Sequence, residues 1–155
     1  MYKRQGQATG ATLYTLAEAA TDAASAALAE RHDRDDLMGG GVDLRGTDDT
    51  VANVLMQMAR AQTGPATDRL ARSLVGALQG AGIRMHRHPW QQAAFSVLKS
   101  PGVPSALLEV GFLSSPRDRG RLRDPAWRAG MAQALIAGLD QWVQAEIAQQ
   151  ALRLR

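Results

Sequence analysis

Residues 11–16, ATLYTL, put apolar side chains at every second position with Thr and Tyr among them, a pattern that predicts a short strand. The period then changes. Ala17 to Arg31 is rich in Ala, with Leu and Glu, and predicts a helix. HDRDD, residues 32–36, reads as a charged turn, and Gly39-Gly40-Gly41 is a breaker. Asp48-Asp49-Thr50 offers a cap for a helix whose apolar face is Val51, Val54, Leu55 and Met58, with Met56 beside them. Gly64-Pro65 punctuates that helix. A second stripe of Leu70, Leu74, Val75 and Leu78 ends at Gly80 and Gly82.

Ile83 to His88 and Ala94 to Leu98 read as strands, and Ser105 to Glu109 as the most buried strand of the chain. Asp124-Pro125 opens a last long helix, with Asp124 as its cap and Pro125 at its first position. Its apolar positions include Trp127, Met131, Leu135, Ile136, Leu139 and Val143. The polar tail from Ala148 to Arg155 is expected to fray. Strands alternating with helices predict an α/β protein, a mixed sheet flanked by helices.

Composition narrows the picture only slightly. The chain has 155 residues, enough for one domain with a real core, and 45% of them are hydrophobic. A formal net charge of +3 suits an anionic partner, whether a cell-wall polymer or a nucleic acid. With no cysteine, disulfides and thiolate metal sites are excluded. No apolar run is long enough to span a bilayer, and MYKRQGQATG lacks the apolar core of a secretory leader. The Arg residues of RDRGRLRDPAWR alternate with Asp118 and Asp124 and have no aromatic stacking platform, which argues against nucleic acid. Trp90, Trp127 and Trp142 read as core or groove residues.

The candidate chemistry lies in PSALLEVGFLSSP, residues 104–116. One acid, Glu109, interrupts an apolar strand, and a Gly follows that lets the backbone turn or a ligand approach. Desolvating a carboxylate is costly. Two readings stay open: a general base or acid at a strand end, where α/β sheets gather ligands, or a structural acid paired with an Arg or with backbone N–H groups.

VPSALLEVGFLSSP, from Val103 to Pro116, resembles the closing motif of the zinc-dependent N-acetylmuramoyl-L-alanine amidases of the amidase 3 family, roughly V-P-S-(V/I)-L-(V/L)-E-x-(G/A)-(F/Y)-(L/I)-S-N-P. Three further segments agree in order. GATLYTLAEAATDAAS, from Gly10, resembles the family's strand and following helix. DLMGGGVDL, from Asp36, resembles the D-L-(I/L)-G-G-V-(D/S)-L that follows an inserted helix in the cell-division members. QQAAFSVLKSPGVPS, from Gln91, resembles R-Q-A-x-F-x-V-L-(K/R)-x-P-x-(V/I)-P-S. The resemblance implies that residues 9–147 form the later part of an amidase domain, truncated on its amino-terminal side. Residues 17–63 would be inserted regulatory helices, residues 1–8 unassigned or non-native, and residues 148–155 a tail.

The activity implied is hydrolysis of the amide between N-acetylmuramic acid and L-alanine in peptidoglycan, in the periplasm or cell envelope, during cell division. Glu109 occupies the place of the family's catalytic acid/base. In the family, zinc is held by ligands that lie earlier in the chain: a His in a D-x-G-H-G segment, then a Glu, then a second His in an S-x-H-x-(D/N) segment. Neither segment occurs in this sequence, so no residue here is assigned as a zinc ligand. His86 and His88 would share a strand face, but they read as a solvated or substrate-facing pair. His32 aligns with a Glu of the inserted helix that covers the zinc in the cell-division members, until an activator with a LytM-type domain displaces it. Imidazole can replace that carboxylate, or His32 is a solvated residue of the turn. Glu30, two residues earlier, lies on another helical face. Arg117, Arg119 and Ser115 depart from the family pattern. The competing function is an amidase-like regulatory or interaction module that hydrolyses nothing.

Overall fold

The computed structural model describes residues 8–17, 20–38, 49–100 and 102–153; helix side chains at 32–38, 49–57, 59, 60, 62 and 153 lie outside that description. Three strands form a mixed sheet: β1 (Ala11–Leu16), β2 (Met85–Ala93) and β3 (Leu107–Glu109), in the order β2-β1-β3. β1 runs parallel to β2 and antiparallel to β3. Four helices surround them: α1 (Ala23–Met38), α2 (Asp49–Gly80), α3 (Pro116–Arg123) and α4 (Pro125–Arg153). The expected α/β class, a mixed sheet flanked by helices, is what forms.

β1 is the buried centre. Residues 11–15 are all buried, and alternate side chains serve opposite faces. Leu13 packs with Leu70, Ala71 and Leu74 of α2, while Leu78 of α2 meets Ala11 and α4's Met131 and Ala134 on the same face. Tyr14 packs on the other face with Ala29 of α1 and with Ala93, Phe95 and Leu98. Leu13 is wholly buried, so truncating it to Ala would cost about 2–5 kcal/mol.

α2 and α4 clamp together. Gly138 brings α4 so close that a Cβ there would lie 3.1 Å from the Ala77 Cβ. Ser73 Oγ donates to the Gly138 carbonyl at 2.7 Å, and Trp142 Nε1 to the Ala66 carbonyl at 3.1 Å. Arg69 grips Glu146 with two N–H groups.

Several elements differ from the pattern-based expectation. α1 starts at Ala23, capped by Asp22, whose Oδ1 accepts from the Ser25 N–H at 2.8 Å, and runs through HDRDD to Met38. The charged run is therefore helix and not a turn. α2 continues through Gly64-Pro65: Pro65 loses one helical N–H, but the α4 contacts from Ala66 onward hold the helix across it. Met58 is exposed, not part of a packing face; the side chains of Val51, Val54, Leu55 and Met56 lie outside the described residues.

The strand expected at 83–88 is the longer β2, and the one expected at 94–98 is a single 3-10 turn, Ser96–Leu98, that drives Leu98 into the Tyr14 cluster. β3 is only half-buried, because it lies at the edge and β1 takes the centre. On α4, Met131, Ala134, Leu135 and Trp142 face inward while Ile136, Leu139, Val143 and Ile147 are exposed. The tail expected to fray is helical to Arg153.

Candidate active site

Glu109 ends β3 opposite Thr12, with Leu108 opposite Leu13 and Leu107 opposite Tyr14. Register therefore sets Glu109, Thr12 and Tyr14 on the α1 face of the sheet. The Tyr14 hydroxyl donates to Glu109 Oε2 at 3.4 Å. The ring is buried and meets Phe95 edge-to-face, with centroids 5.3 Å apart. Burial, and then the Glu109 charge beside it, push the phenol above its ordinary value, so it stays a protonated donor throughout the neutral range. The Thr12 hydroxyl is wholly buried. It lies near enough to the phenol to offset part of that rise, yet makes no hydrogen bond of good geometry. Glu109 itself is half-buried.

The loop after Glu109 is fixed by Asp118. This buried carboxylate accepts from Thr9 Oγ1 at 2.7 Å, from the Gly10 N–H at 3.0 Å and from the Phe112 N–H at 3.1 Å; Arg121 approaches at 3.4 Å. Burial alone would raise its carboxyl, but the donors outweigh that and hold it below the ordinary value. Asp118 is placed by α3, which begins with Ser115 as N-cap and Pro116 in its first turn; Ser115 Oγ accepts from the Asp118 N–H at 3.3 Å.

β3 is antiparallel, so the carboxyl end that carries Glu109 lies beside the amino end of β1. The rule that placed ligands at the carboxyl ends of parallel strands points instead to the other end of the sheet. A cleft of about 580 Å³ lies there, with Leu16, Ala94, Leu98, Asp68 and Lys99 in its lining. It is separate from Glu109.

The histidines are scattered by the same topology. Between Ala11↔Met85 and Leu13↔Trp90, β2 bulges away from β1, and His86, Arg87, His88 and Pro89 sit in the bulge. The rings of His86 and His88 are 6.0 Å apart, and His86 lies 6.3 Å from the Phe112 ring. His32 falls in the second half of α1, its side chain outside the described residues; Glu30 is exposed on the same helix. Among the described residues, no three His, Asp or Glu side chains converge to hold a metal ion. The described residues thus do not fit the zinc that the family resemblance implies, and no chemical step here is routed through it.

The profile of N-acetylmuramoyl-L-alanine amidase (Amidase_3) matches residues 2–141. The chain belongs to this amidase family. It is 30% identical over 134 residues to the N-acetylmuramoyl-L-alanine amidase AmiA of Escherichia coli K12, spanning 86% of this chain and 46% of that protein. Against AmiC of Escherichia coli O6:H1 the identity is 28% over 134 residues, 86% of this chain and 31% of that one. The crystal structure of an N-acetylmuramyl-L-alanine amidase from Mycobacterium smegmatis superposes with a TM-score of 0.58 at 14% identity, over 90% of this chain and 49% of that one. The amidase fold is thereby shared, and the chain spans half or less of the relatives it matches.

Two residues that hold Glu109 or the loop after it went unread in the sequence. Tyr14 looked like a strand residue, and only register aims it at Glu109. Asp118 sat in a run read as basic, although Ser115-Pro116 is the same cap-plus-proline signal that revealed α4 and announces α3 equally well.

Proposed function

We propose that this chain is the Glu109-bearing part of a peptidoglycan amidase, cutting the amide between N-acetylmuramic acid and L-alanine. The observation that carries this reading is the placement of Glu109: half-buried at a strand end, inside the segment closest to the family's closing motif, with a donor on its Oε2. A carboxylate so placed takes a proton from the attacking water and returns it to the leaving L-alanine amine. Zinc, in the family, polarises the scissile carbonyl and acidifies the water. Its ligands would be the family's preceding His of D-x-G-H-G, a Glu, and the His of S-x-H-x-(D/N). AmiA and AmiC carry the amidase name, which supports a cell-wall substrate; on this reading the activity lies in the periplasm or cell envelope and serves cell division.

Regulation by a lid over residues 17–63, released by a LytM-domain activator, is part of this reading. The geometry narrows where such a lid would move. Ser25 and Ala29 are buried, and Ser25 Oγ donates to Gln91 Oε1 at 2.7 Å. The first half of α1 therefore belongs to the core.

The test is a protein that carries the family's preceding amino-terminal part, with its two His and one Glu, ahead of Thr9. Loaded with zinc, it should release stem peptides bearing a free L-alanine amine from purified peptidoglycan. A folded, zinc-loaded protein that binds peptidoglycan and releases nothing would favour the non-hydrolytic module instead.

A further inference from the structure

We infer that Tyr14 is the positioning residue of Glu109: its buried phenol fixes the carboxylate by donating to Oε2, from a strand that carries none of the reacting groups. The inference rests on the proposed role of Glu109 for its functional meaning, but its geometry stands apart from that role.

Three observations converge. The hydroxyl reaches Glu109 Oε2 at 3.4 Å across the β1–β3 pairing, between residues 95 positions apart. The ring that carries it has little freedom, being buried and set edge-on to Phe95 within the Ala29, Ala93 and Leu98 cluster. A phenol held this way remains protonated at neutral pH and so presents a donor to the Glu109 carboxylate.

A hydrogen bond from Tyr14 to the charged carboxylate favours that form over the protonated one. Thr12 stands opposite Glu109 with a buried hydroxyl that makes no hydrogen bond of good geometry. Among the described residues, the charged and titratable groups acting on this face from α1 and β2 include Asp22, which acts weakly on the phenol, and His88, which acts on Asp22.

The experiment begins with the 155-residue chain. Tyr2 and Tyr14 are its two tyrosines, so Tyr2→Phe leaves Tyr14 as the sole phenol. Its ionisation is followed by tyrosinate absorbance, with circular dichroism reporting the fold at each pH. Adding Glu109→Gln removes the neighbouring charge and should bring the onset of ionisation down by about one pH unit. An onset at the same pH with and without Glu109→Gln overturns the inference, whatever Glu109 does in catalysis.

The second arm uses the restored amidase. Tyr14→Phe keeps the ring against Phe95 and removes only the oxygen. It should lower kcat roughly tenfold with KM unchanged, and move the acid limb of the pH profile to higher pH. A Tyr14→Phe enzyme with the parent's kcat and pH profile also overturns the inference. Full turnover in Glu109→Gln would instead remove the proposed role of Glu109 and leave the coupling measured in the first arm intact.

Discussion

Gly10 donates its backbone N–H to Asp118 Oδ2 at 3.0 Å, across 108 positions of sequence. The same oxygen accepts from the Phe112 N–H at 3.1 Å. One buried carboxylate thus joins the start of β1 to the loop that follows Glu109. The loop after the acid is held by a residue nine positions downstream of it.

Replacing Asp118 with Ala strands the buried Gly10 donor and unpairs the Phe112 N–H. Each buried donor left unsatisfied costs about 1–3 kcal/mol. Urea unfolding should show a loss in that range or above. A midpoint within error of the parent would mean that water replaces the carboxylate without penalty.

The pH dependence has a definite sign. The folded-state value of Asp118 lies below its ordinary one, because its donors outweigh the opposing effect of burial. Its contribution is therefore complete above the unfolded value, near pH 4, and is lost as pH falls through the folded value. Asp22, lowered chiefly by the Ser25 backbone N–H, acts in the same direction. Asp118→Asn should start less stable at pH 7, and its deficit relative to the parent should shrink toward pH 3. A deficit that stays constant over this range would contradict the assignment.

Gly10 has φ +91, and a Cβ placed there would lie 2.6 Å from the Met85 backbone carbonyl carbon and oxygen. Gly10→Ala must strain the backbone and separate β1 from β2 at once. The backbone strain alone is on the order of 1–3 kcal/mol. Thermal unfolding is the simplest readout, and an unchanged Tm would exclude this close approach in solution.

In the restored amidase, Glu109→Gln removes the proton-exchanging group and almost no volume. Muropeptide release should fall by about a hundred- to ten-thousand-fold, with bound zinc and fold unchanged. The two quantities need to be measured on the same preparation. Near-normal release with zinc retained would remove Glu109 from the chemistry.

How much of this was legible beforehand depended on whether the signal was local. β1, the second half of α2 and the start of α4 follow from period, caps and breakers, all of which act over a few residues. The alternation that predicted β1 is the same one that divides Leu13 from Tyr14 across the sheet. The end of α1 was misjudged because charge was read as turn, whereas a charged helix face in water is equally stable. Gly64-Pro65 was read as a stop because local propensity opposes helix there, and the α4 contacts that override it come from Trp142 and Glu146, far along the chain. The acid at 109 stood out by its apolar surroundings. Tyr14 and Asp118 did not, because Tyr14 meets the acid through strand register and Asp118 meets the loop after it from a helix start, and neither has a spacing that reveals it.

The central position of β1 has a consequence for synthesis. Its two neighbours are β2 and β3, and β3 pairs with it across about a hundred residues, with Tyr14 and Glu109 separated by 95. At about 5–20 residues per second on the ribosome, the Tyr14 strand waits roughly 5–20 seconds for its antiparallel partner. During that interval the most buried strand of the sheet is outside the tunnel, with both edges open until Met85–Ala93 arrives and one thereafter. Contacts this distant in sequence form late and make folding slow. The nascent chain should therefore be most vulnerable to association before Leu107–Glu109 emerges, and a chaperone that shields an apolar strand would act on residues 11–16 first.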